Sequence, residues 1–270
     1  MPLSGKSNIV QNAILFMLEK SSYKNFELVC LIDDNVQDKT SNFIRELKAT
    51  DHRCKFLTFS GLSNYPKAFN NGVSSVRGEH VVLVREGIAV INSDWIESLL
   101  EHSQREEVGV VGSKIYYPND TINHAGIILG IKGLAGYPHR HFQRYDHGYY
   151  NRLNCIQNFS AVTGALMMVK KVIYSRVGGL DERNFTTLLN DIDFCLKVRR
   201  AGYLNVFTPY CEAYHQVSSK DRGYTKSERA IEFEREKDLF EEKWKAYLEP
   251  GDSYYNPNLT LEKEDFSIRV

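Results

Sequence analysis

The 270-residue sequence has no surplus of either charge: 34 Lys and Arg stand against 34 Asp and Glu. A nucleic-acid surface needs a basic excess gathered on one face, so that class of partner is set aside. Long hydrophobic runs are also missing. No apolar stretch approaches the ~18 residues that a membrane-spanning helix needs. The opening segment, MPLSGKSNIVQNAILFMLEK, is too polar for a secretory leader. Cysteine is sparse: five residues, at 30, 54, 155, 195 and 211, with no C-x-x-C pair. That spacing excludes a disulfide framework and a zinc ribbon, and it suits buried thiols in a reducing compartment, with the cytoplasm as the expected location. No internal repeat and no low-complexity linker divides the chain.

What is present is a globular composition, 42% hydrophobic and 25% charged. FELVCLI at 26–32, CKFLTF at 54–59 and HVVLV at 80–84 read as strands, and the apolar runs at 26–32 and 80–84 suit burial on both faces of a sheet. Helical patterns over 8–20, 40–50 and 65–75 alternate with them. The alternation predicts an α/β sheet with right-handed crossovers, and ligands of such sheets bind beyond the carboxyl ends of the strands. Asp33-Asp34 and Arg85-Glu86-Gly87 lie at such ends. The second half predicts a helix at 93–104, a strand at 108–117 and a glycine-rich stretch at 121–137 containing His124. A loop rich in His, Arg and Tyr follows at 139–151. A strand at 161–170 opens on Thr163-Gly164, and a short one is expected at 204–208, ahead of His215. A long charged helix at 226–248 and an irregular tail at 249–270 complete the chain.

The stretch GGLDERNFTTLLNDIDFCLKVRRAG, 178–202, organises the rest. Asn190 has the side chain of a helix N-cap, and Ile192, Cys195 and Leu196 form an apolar stripe that docks the helix. Asp191 and Asp193 then crowd the positive end of that helix. On these residues alone, two readings stay open: the acids serve the helix dipole, or they do chemistry in a cleft.

The combination resembles family 2 glycosyltransferases of the GT-A fold, most of all the bacterial branch that glycosylates surface polysaccharide, with its rhamnosyl- and galactosyltransferase-like members. The matching pieces, in order, are LEKSSYKNFELVCLIDDN, Asn71-Gly72 with Gly78-Glu79, DWIESLL, VGVVGSKIYYPNDTINHAGIILG, SAVTGALMMVKK, VGGLDE, NDIDFCLKVRRAGY, FTPYCEAYH and YYNPNLTL. They run from about Ala13 to the end. The resemblance implies one Rossmann-like, mostly parallel α/β domain over 1–248, with a nucleotide half at 1–107, an acceptor half at 108–225 and the helix 226–248. It implies inverting transfer of a sugar from a nucleotide-diphosphate donor to a glycan or lipid-linked acceptor, with Asp191 as general base. Asp33 and Asp34 would hold the nucleoside, Asn71 would line its pocket, and Thr163-Gly164 would floor the site. Asn190, Asp193 and His124 fall on the acceptor side, although His124 by itself reads as a structural histidine.

The resemblance also implies a divalent metal, Mn²⁺ or Mg²⁺, under the diphosphate. Here the sequence departs from the family. The last acid of its DxD-type motif aligns with Gly87, which has no side chain. Glu86, one residue early, and His215 are the remaining candidate ligands, and Arg85 stands where it would pair with phosphate oxygens directly. A second departure is the start: the family's first strand is absent, and residues 1–7 are not expected to supply one. That leaves the Asp33 strand with an open edge, inviting a second copy or an upstream domain. The alternative function is a catalytically impaired glycosyltransferase-like module that binds carbohydrate or a protein partner.

Overall fold

The computed structural model describes residues 1–3, 7–33, 37–60, 64–216 and 226–269. The apolar runs of the first half become β2 (Leu28–Asp33), β3 (Cys54–Phe59) and β4 (His80–Val84), preceded by a two-residue β1 (Pro2–Leu3). Helices α1 (Ser7–Lys20), α2 (Gln37–Thr50) and α3 (Tyr65–Ser75) separate them. Next come β5 (Ile88–Val90), α4 (Trp95–Ser103), β6 (Val108–Tyr116), β7 (Ile122–His124), β8 (Ile128–Leu129) and β9 (Ala135–Gly136). The chain continues through β10 (Gln157–Asn158), β11 (Leu166–Lys170), α5 (Lys171–Arg176), α6 (Asn190–Arg200), β12 (Leu204–His215) and α7 (Lys226–Leu248).

The result is a mixed α/β fold. Strands β1-β2-β3 form a parallel sheet. A larger sheet has the order β10-β12-β6-β11-β4, with β5 and β7 attached to β12 and β6. Within it β6 and β12 run parallel, while β11 lies antiparallel between β4 and β6. That arrangement sets the start of β11 beside the end of β4, with Arg85 N donating to Ala165 O at 2.8 Å. Helix α6 lies against β6 and β12. It approaches closely because Gly109 has no side chain: a Cβ there would meet Val198 Cγ1 at 2.2 Å.

Two expectations need correction. Residues 1–7 do supply a strand: Pro2 and Leu3 pair parallel with Leu31 and Ile32. The Met1 amino group is buried and donates to Val29 O at 2.8 Å. Val29 and Leu31 of β2 and Val82 and Val84 of β4 line a cavity of about 770 Å³. Strand β12 is also longer than the expected 204–208. Pro209 lacks the N–H that a regular ladder needs, so the register shifts between Phe207 and Glu212 and then resumes to His215. Among the described residues, no helix is long and apolar enough to cross a membrane.

Candidate active site

Asp191 sits in the first turn of α6 and is only 3% exposed. Its Oδ2 accepts from Gly164 N at 2.9 Å and from Thr163 Oγ1 at 3.2 Å. Its Oδ1 accepts from Ile192 N at 3.0 Å. Glycine is required at 164 by close approach: a Cβ there would lie 3.2 Å from Asp191 Cβ. Thr163-Gly164 thus lies as a floor against the Asp191 carboxylate and holds it.

The floor is itself held from below. Backbone N–H groups of Thr163, at 3.0 Å, and Gly126, at 3.2 Å, both donate to Nε2 of His124. With Nε2 an acceptor, the ring proton must sit on Nδ1, which faces Ser113 O at 3.0 Å. His124 is fully buried, and burial pulls its pKa down to about 4, so the ring is neutral near pH 7. Its part is to position Thr163, one bond removed from any acceptor.

Arg85, Glu86 and Gly87 form the turn after β4, closed by Ile88 N donating to Arg85 O at 3.3 Å. Glu86 is buried. The Arg85 guanidinium is 8% exposed, lies 5.1 Å from the Tyr65 ring centroid and reaches Asn190 Oδ1 at 3.4 Å. The turn meets the end of β12: His215 pairs with Ile88, and Gln216 N donates to Gly87 O at 2.8 Å. Arg85, Glu86, Thr163, Gly164, Asn190, Asp191 and His215 are therefore brought to one end of the large sheet by β4, β11, α6 and β12.

Other expectations fail or fall elsewhere. Asn190 is not the N-cap of α6. It is the first helical residue, and Leu189 precedes it without a side-chain cap bond. Asp193 is fully buried, and its Oδ1 accepts from Trp244 Nε1 at 2.9 Å and pairs with Lys243 Nζ at 2.7 Å, tying α6 to α7. One helical step of about 100° per residue puts Asp191 and Asp193 on different faces. Asn71 is exposed on α3 and only its carbonyl is engaged, by Ser74 and Ser75. The neighbouring Asn70 makes the tertiary bonds instead, with Tyr174 Oη at 2.6 Å and Leu180 N at 3.0 Å. Asp33 ends β2, and Asp34 lies outside the described residues.

The sequence reading missed Tyr137. Burial, with Asp191 adjacent, pushes its phenol well above the usual range. Arg140 stacks 5.3 Å from its ring, and Arg140 Nη2 donates to Tyr117 Oη at 2.6 Å. His141 stacks on Tyr117 at 5.1 Å. These residues form a linked aromatic and cationic cluster, of which Tyr137 is close enough to feel the Asp191 charge. Only Arg140 and His141 come from the His/Arg/Tyr-rich loop; Tyr137 ends the glycine-rich stretch and Tyr117 ends the strand expected at 108–117, and neither segment carried a signal for them.

The donor set falls short of a metal site built by the protein. Among the described residues, no group of three or more His, Cys, Asp and Glu gathers to hold an ion. Glu86 and His215 offer two donors, Gly87 adds none, and a guanidinium stands beside them.

The family model for glycosyl transferase family 2 matches residues 1–177. The chain belongs to that family. The match stops short of Asp191, but longer alignments extend past it. Uncharacterized protein y4gI of Sinorhizobium fredii is 38% identical over 268 residues, 99% of this chain and 29% of its own length. O-antigen biosynthesis protein RfbC of Myxococcus xanthus is 27% identical over 274 residues, 100% of this chain and 20% of its own. The chain thus spans less than a third of the length of these curated relatives. Among solved structures, mannosyltransferase PcManGT from Pyrobaculum calidifontis, in complex with GDP-Man and Mn²⁺, superposes with a TM-score of 0.63 at 16% identity. That likeness covers 92% of this chain and 68% of PcManGT, and it shows a shared GT-A fold.

Proposed function

We propose that this family 2 glycosyltransferase moves a sugar, with inversion, from a nucleotide-diphosphate donor to a glycan or lipid-linked hydroxyl, and that Asp191 is its general base. The observation that carries this reading is the Asp191 carboxylate, fixed by three donors at the positive end of α6. A carboxylate offers about four lone-pair positions, so three donors leave room for one acceptor O–H. The hydroxyl oxygen attacks the anomeric carbon while its proton passes to Asp191. The bond from that carbon to the diphosphate oxygen breaks, and its electron pair leaves with the diphosphate. Tyr117, Tyr137 and Arg140 form the surface on which an acceptor ring would stack. The donor-side residues are Asp33, Arg85 and Glu86, at the carboxyl ends of β2 and β4. The RfbC relationship supports an acceptor in surface polysaccharide.

The test is a panel of UDP-, GDP- and dTDP-sugars with wild type and Asp191→Asn. We expect hydrolysis or transfer with one donor class, and a loss of roughly 10³-fold or more in kcat in the variant, with donor KM nearly unchanged. Donor turnover that survives Asp191→Asn removes the base assignment. Saturable glycan binding with no nucleotide binding would instead establish the non-catalytic module.

A further inference from the structure

Arg85 carries a buried guanidinium. It is 8% exposed, and among the described residues it forms no salt bridge. Its one side-chain hydrogen bond, to Asn190 Oδ1, is long at 3.4 Å, and its Nε has no hydrogen-bond partner. The Asn190 amide has its oxygen turned to the guanidinium, which leaves Nδ2 pointing elsewhere. That Nδ2 also has no partner, on a side chain 2% exposed. A buried guanidinium needs an anion, and a buried amide N–H₂ needs an acceptor; leaving both unmet is costly. The two side chains touch, and they do so at the first turn of α6, where the helix dipole adds positive potential.

We propose that Arg85, with Asn190 Nδ2, forms an anion site that binds the diphosphate of the donor without a divalent cation. This deepens the transferase reading and rests on it for the identity of the anion. The planar fork of arginine matches two phosphate oxygens, and its fixed positive charge replaces what a metal would supply to the departing diphosphate. The chain carries glycine at 87, where an acid would be needed to hold a metal, and a buried cation two residues earlier. The two substitutions have one explanation: the charge on the diphosphate is met by the protein.

The experiment measures inorganic pyrophosphate binding to the full chain by calorimetry, in EDTA and in Mg²⁺ or Mn²⁺, alongside ligand-free melting temperatures. We expect saturable binding in EDTA, weakened at least tenfold in Arg85→Met and partly retained in Arg85→Lys. The ligand-free Arg85→Met protein should melt no lower than wild type, since it loses an unpaired buried charge. Asn190→Asp should melt higher, by pairing with Arg85, and bind pyrophosphate more weakly. Binding that requires the metal, or that is unchanged in both Arg85→Met and Asn190→Asp, overturns the proposal. So does a lower melting temperature in both variants, because the pair would then serve the fold. Loss of turnover in Asp191→Asn alongside normal pyrophosphate binding in Arg85→Met removes the anion site and leaves the transferase reading standing.

Discussion

Gly164 is the residue on which the geometry of Asp191 depends most directly. Adding one methyl group would place a Cβ 3.2 Å from Asp191 Cβ, closer than such contacts comfortably run. Either the helix start or the 163–165 turn must yield. Gly164→Ala should therefore lower kcat at least tenfold while costing about 1–3 kcal/mol of stability, the range for overpacking. Wild-type kcat in that variant would mean the carboxylate is not held where the chemistry needs it. His124 supports the same turn and makes it sensitive to acid. Its pKa is about 4 in the fold against an ordinary 6.5, so the unfolded chain binds more protons between those values. Stability is full above pH 6.5 and is lost as pH falls toward 4, by about 3 kcal/mol for this ring. The buried His139, also pulled down to about 4 by burial, adds to the loss in the same window. Melting temperatures at pH 7, 6 and 5 should fall progressively, and a flat profile would contradict the neutral, doubly accepting imidazole.

Helix α7 explains how the loop before α6 is fixed. Glu236 is fully buried, and its carboxylate accepts from the backbone N–H groups of Thr187, Leu188 and Leu189 at 2.7, 3.0 and 3.1 Å. The residues entering α6 are thus held by a side chain from far along the chain, while the first-turn N–H of Ile192 is taken by Asp191 Oδ1. Glu236→Ala would strand three backbone donors, the buried Leu189 N–H at about 1–3 kcal/mol and the half-buried Thr187 and Leu188 at less, and loosen the segment leading to Asp191. We expect a large drop in melting temperature and a fall in kcat that exceeds any change in donor KM; an unchanged kcat in the folded variant would make the carboxylate purely structural. The elements themselves were legible. β3, α3, β4 and α7 fall where apolar runs and periodicity place them, because local pattern decides an element. Which residue of a pair faces the site was not legible. Asn70 or Asn71, and Asp191 or Asp193, are settled by the rotation of a docked helix, and that rotation depends on partners such as Trp244 and Lys243, remote in sequence.

At the scale of the whole molecule, the tail that reads as irregular is built into the segment 129–149. Glu264 accepts from Tyr137 N at 3.1 Å through Oε1 and from His139 N at 2.6 Å through its carbonyl. Asp252 accepts from Leu129 N at 2.7 Å, and the buried Phe266 ring stacks on His139 at 4.5 Å and on Tyr149 at 5.1 Å. Lacking periodicity, the segment carries no signal that local patterns detect, yet it braces the backbone at Tyr137 and His139. The donor side proposed above is different: it hangs on the ends of β2 and β4, which belong to two sheets. Removing residues 249–270 should thus damage the two halves unequally. Acceptor KM should rise at least fivefold as Tyr137 and His139 lose their backbone acceptors, about 1 kcal/mol or more by the worth of such bonds. Nucleotide affinity should stay close to wild type, because Asp33 and Arg85 keep their strands. The truncated protein should also melt lower, with buried Phe266 alone worth about 3–5 kcal/mol. An equal loss of nucleotide and acceptor affinity would show instead that the tail supports the fold as a whole, with no preference for the side where the acceptor rests.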